Sequence, residues 1–178
     1  MANYNTYPTF GLDLKIKIIQ DALNSYLGFT NVDFYGRVQK VISKDGKTII
    51  PEVYTSNNER KEVYYDDVKA PGGNVFFVDN DEHKSKDGKI FVAKVKIVFM
   101  LNLNKILGEK QYRADTEIQD KCVKLIEKTK ILEITSIEKG LDNILKEFNI
   151  ENIKKNDMQP YHIFSVNGDL KYQFNCNT

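Results

Sequence analysis

Residues Lys89–Leu103 read KIFVAKVKIVFMLNL, and this run decides the fold. Its odd positions, Phe91, Ala93, Val95, Ile97, Phe99, Leu101 and Leu103, are all apolar. Its even positions start with Lys94 and Lys96 and turn apolar at Val98 and Met100. Alternation of this kind has the period of a β-strand, not of a helix. At about 3.3 Å per residue the run extends roughly 45–50 Å. One face is core throughout and the other is core only at its far end, so something must cover that end.

Working outward on the N-terminal side, Met1–Gly11 is polar, aromatic and unpatterned, and is expected to be an arm. Asp13–Leu27 places Ile16, Ile19, Leu23, Tyr26 and Leu27 on one helical stripe, with Asp13 as N-cap and Gly28 as a left-handed terminator. Val32–Ser43 and Lys47–Tyr54 read as a hairpin turning at Lys44-Asp45-Gly46. Pro51 puts the second arm at a sheet edge or near its own end. Lys61–Asp66 and Val75–Asp79 are short strand candidates separated by the breaker Pro71-Gly72-Gly73, and Asn80–Gly88 is a charged loop.

On the C-terminal side, Ala114–Thr129 carries Ala114, Ile118, Cys122, Leu125 and Ile126 at helical spacing. Thr135-Ser136-Ile137-Glu138 has the form of a capping box and predicts a second helix with Ile137, Leu141, Ile144, Leu145 and Phe148 on one stripe. Gly140 weakens that helix. Asn167-Gly168 predicts a hairpin over 161–175, joining Tyr161–Val166 to Leu170–Asn175. The expected fold is α+β: a mostly antiparallel sheet, one N-terminal helix, two helices after the long strand and a C-terminal β-hairpin. A length of 178 residues predicts a single domain spanning 1–178.

Composition narrows function by exclusion. The formal net charge is +1, so no bulk field favours nucleic acid or membrane. Three of the 26 basic residues are arginines, Arg37, Arg60 and Arg113, which argues against bidentate phosphate recognition. The ten tyrosines and ten phenylalanines interleave with lysines, a pattern open to single-strand stacking or to ordinary sheet packing. Cys122 and Cys176 make neither a disulfide framework nor a zinc site, so free thiols in a reducing compartment are expected. MANYNTYPTF lacks the basic and apolar regions of a signal peptide, and no apolar run reaches the roughly 18 residues of a membrane span.

No segment carries a catalytic pattern. Asp79, Asp81, Glu82 and His83 are ligand-type side chains, but nearly consecutive ones point in different directions, as in a solvated loop. Lys94 and Lys96 lack the carboxylate two residues before them that a restriction-type nuclease strand needs. His162 alternates with Phe164 and Val166, which suits packing or a surface role better than base catalysis. No nucleophile elbow, phosphate loop or dinucleotide glycine pattern occurs. The residues predict no enzyme, no catalytic or metal site and no cofactor.

Several segments in order carry a family resemblance: Lys17–Leu23 (KIIQDAL), Phe34–Val38 (FYGRV), Lys44–Lys47 (KDGK) and Ile50–Tyr54 (IPEVY). Lys61–Asp67 (KEVYYDD), Phe76–Asp79 (FFVD) and Tyr112–Asp115 (YRAD) continue it. Together, across roughly Lys17 to Lys130, they resemble the tail-terminator or neck ring proteins, the head–tail connectors, of tailed bacteriophages of the crAss-like type. The resemblance implies a viral structural protein of the virion neck or tail, made in the host bacterial cytoplasm. It implies a homo-oligomer closing into a ring that joins or terminates the tail at the head. Its implied partners are its own copies, neighbouring neck, portal or tail proteins, and genome DNA passing through the channel without sequence-specific binding. No membrane partner is implied. The N-terminal arm and the C-terminal hairpin are the expected contacts with neighbours, and the half-covered strand face suits intersubunit burial. The alternative reading is a cytosolic protein-binding module or regulator of a phage or mobile element.

Overall fold

The computed structural model describes residues 10–54, 59–64, 71–151, 153 and 157–174. The expected arm lies outside them except for Phe10 and Gly11. At the centre, β7 (Ile90–Asn102) pairs along its whole length with β9 (Tyr161–Gln173), antiparallel, from Ile90 opposite Gln173 to Asn102 opposite Tyr161. On the other side of β7 lies β5 (Gly73–Asp79), antiparallel, and beyond it β1 (Val32–Arg37), parallel to β5. β8 (Leu132–Lys139) closes the far side, so the strand order is β1-β5-β7-β9-β8, with the two-residue β6 (Lys84–Ser85) added to β7. The architecture is α+β with a mostly antiparallel sheet and an N-terminal helix, as the grouping of strands apart from helices along the sequence predicts.

The two faces of β7 enter two different cores. Ala93, Val95, Ile97, Phe99 and Leu101 point into the larger one, which α1 (Leu12–Leu27) and α3 (Asp115–Thr129) cover with Ile16, Ile19, Leu23, Ile118, Cys122 and Ile126. Phe99 stacks on its cross-strand partner Phe164 with ring centroids 4.5 Å apart. Val98 and Met100 point into the second core. Beside the small sheet β2-β3-β4 (Gln39–Ile42, Ile49–Tyr54, Arg60–Glu62), this core is covered by Val53 of β3, by Val38 just before β2 and Val63 just after β4, and by Ile144, Leu145 and Phe148. The chain itself therefore covers the far end of the second face.

Several local expectations are corrected. α1 starts at Leu12, so Asp13 lies inside its first turn rather than capping it, and its carboxylate goes to Arg37. Gly28 is right-handed, and the left-handed residue is Asn31, after a 3₁₀ turn over Gly28–Thr30. β3 is the middle strand of the small sheet, not an edge. Pro51 is tolerated because β4 has ended opposite it, where its carbonyl still accepts from the Val63 N–H.

Thr135–Glu138 is not a helix start but the centre of β8. The β-branched run Ile134, Thr135, Ile137 suits a strand, and Gly140 at φ 84° leaves the helical region. The second expected helix shrinks to α4 (Leu141–Ile144), and a short α2 (Leu103–Leu107) precedes α3. Asn167-Gly168 does not turn: both residues lie inside β9. Gly168 sits opposite Ile134 beside an irregularity in β8, where a Cβ would lie 2.5 Å from the Glu133 carbonyl oxygen and 2.7 Å from Leu132 Cγ. The glycine serves a close approach of two strands, the other use of glycine in a sheet.

Candidate interaction surfaces and polar sites

The loop after β5 brings together part of what the sequence offered there. Asp79 and His83 meet: His83 Nε2 lies 3.0 Å from Asp79 Oδ2, and its Nδ1 lies 2.7 Å from the Tyr172 hydroxyl. In the neutral imidazole the Asp79 carboxylate, which can only accept, selects the tautomer with the proton on Nε2 and leaves Nδ1 to accept from the phenol. Asp81 and Glu82 point elsewhere, to Lys40 and Lys84. Arg37 completes the cluster, with Nη1 2.9 Å from Asp79 Oδ2 and a two-pronged contact to Asp13. Burial works against the Arg37 charge, but the two carboxylates outweigh it and hold its pKa above the ordinary value.

Hydroxyl, imidazole and carboxylate in that order have the connectivity of a nucleophilic triad. The energetics do not follow. Tyr172 is only 5% exposed, and burial raises the pKa of its phenol. Arg37 also takes the carboxylate oxygen that would orient the imidazole. The cluster ties the start of α1, the ends of β1 and β5, the charged loop and the end of β9 together. Arg37 was the residue missed by sequence reasoning; its only signal was being an arginine in a lysine-rich chain.

Of the two roles the sequence left to His162, the structure shows packing: it is buried, stacked on Phe164, and bonded through Nδ1 to Asp157 and through Nε2 to the Gln119 amide. Cys122 is a buried free thiol pushed up to about 12 by desolvation, whereas Cys176 lies outside the described residues. Asn74 is buried in β5 and donates to the Val63 and Tyr64 carbonyls. Among the described residues no three His, Cys, Asp or Glu side chains converge as a metal would require. No helix among them is long and apolar enough to cross a membrane.

The polar half of the second sheet face forms a groove of about 490 Å³ between the strands and the segment after α4. Lys94, Lys96 and Lys146 line it against Asp79, Glu138, Glu147 and Asp169. Lys96 pairs with Glu138 at 3.0 Å and donates to the Ile144 carbonyl, while Lys40 reaches Glu147 and Asp81. Much of this charge neutralises itself, and both signs remain, so the groove selects neither anions nor cations.

Two strand edges present open polar surfaces among the described residues. β8 is the last strand of the main sheet and bonds inward to β9, with Glu133, Thr135, Ser136, Ile137 and Lys139 exposed. β2 is a terminal strand of the small sheet and bonds inward to β3, with Gln39, Lys40 and Ile42 exposed. Among the described residues no backbone group pairs with the outer side of β2 or of β8 over Leu132–Glu138. The hairpin carrying β2 is firmly built. Asp45 accepts from the Lys47 and Thr48 N–H groups and the Thr48 hydroxyl, and these bonds hold its carboxyl down to about 2. Ile42, the last residue of β2, is 66% exposed. Comparison with protein-family models, curated proteins and solved structures finds no match.

Proposed function

We propose that this chain is a structural subunit of a tailed-bacteriophage virion. It closes head-to-tail with its own copies into a ring in the neck or tail, joining or terminating the tail at the head and leaving a channel for the genome. A ring needs a heterologous interface, that is, two different surfaces on each subunit that fit one another. The observation that carries the reading is the pair of unlike open strand edges, β2 and β8, in two separate sheets. Segments that carry the family resemblance fall at positions that shape this body: Phe34–Val38 spans the later part of β1 and its exit, Lys44–Lys47 the hairpin turn, and Phe76–Asp79 the end of β5. The near-neutral charge suits a channel through which DNA slides, since many phosphate contacts would produce a salt-sensitive grip.

The reading is tested by the mass of the purified protein in light scattering, with negative-stain images of the same peak. A closed ring, or one formed on mixing with a portal or neighbouring neck protein, is the expected result. A monomer that assembles with no virion component would overturn the reading and favour a binding module.

A further inference from the structure

We draw no further inference here: the strongest candidate, the groove between the polar half of the second sheet face and the segment after α4, has Lys96 already paired with Glu138 inside the subunit and presents both signs of charge, so nothing among the described residues shows what occupies it.

Discussion

Arg37 grips Asp13 with two prongs of its guanidinium, Nε to Oδ1 at 3.0 Å and Nη2 to Oδ2 at 3.1 Å, while Nη1 holds Asp79. A planar fork fits a carboxylate in a way that an ammonium does not. Arg37→Lys is therefore expected to lower stability although charge is kept. With Arg37 and Asp13 each about a third exposed, the loss is modest, about 1 kcal/mol. Urea unfolding checks it: an unchanged midpoint would mean that the fork contributes nothing beyond its charge.

Gly168→Ala is expected to cost about 2–3 kcal/mol, because the new methyl meets the backbone of β8 rather than a movable side-chain tip. Denaturant midpoints of the two proteins measure this. A loss below about 0.5 kcal/mol, typical of a harmless surface change, would mean that β8 does not press on β9 here.

Phe148→Ala is expected to destabilise by about 3 kcal/mol, since a largely buried ring leaves the core over Val98 and Met100. The loss should be the same in dilute and concentrated protein, because the cover belongs to the same chain. A loss that disappears on dilution would place the cover on a neighbouring copy instead.

Burial pushes the Cys122 thiol up to about 12, against roughly 8.5 in an unfolded chain. The folded pKa is the higher one, so its contribution is fully present below about pH 8.5 and is lost as pH rises towards 12. Relative to Cys122→Val, which cannot titrate, the parent protein should lose stability from about pH 8.5 upward. Parallel stability curves in the two proteins would count against a buried thiol at this position.

Much of the architecture was legible in local pattern. The two-faced run Ile90–Asn102 reports both cores because side chains on a strand alternate, so polarity at each position states what that face meets. The stripes of α1 and α3 and the hairpin turn at Asp45 were readable for the same reason: each is settled within a few residues. What the pattern left open was the identity of the cover over Val98 and Met100, which comes from β3, the segment after β4 and the segment after α4.

The sequence by itself determined the α+β class, the long central strand and the absence of any recognisable catalytic motif, since these follow from periodicity and residue type. Only the tertiary structure decided that Asn167-Gly168 runs straight and that Thr135–Glu138 is a strand. Turn and cap signals are local preferences of roughly 1 kcal/mol, and pairing along β7, β9 and β8 outweighs them. Tertiary contact likewise decided the roles of Arg37, Asp13, Asp79 and His83. Arg37 and Asp79 stand 42 residues apart in the chain, and no local rule sets a partner at that distance.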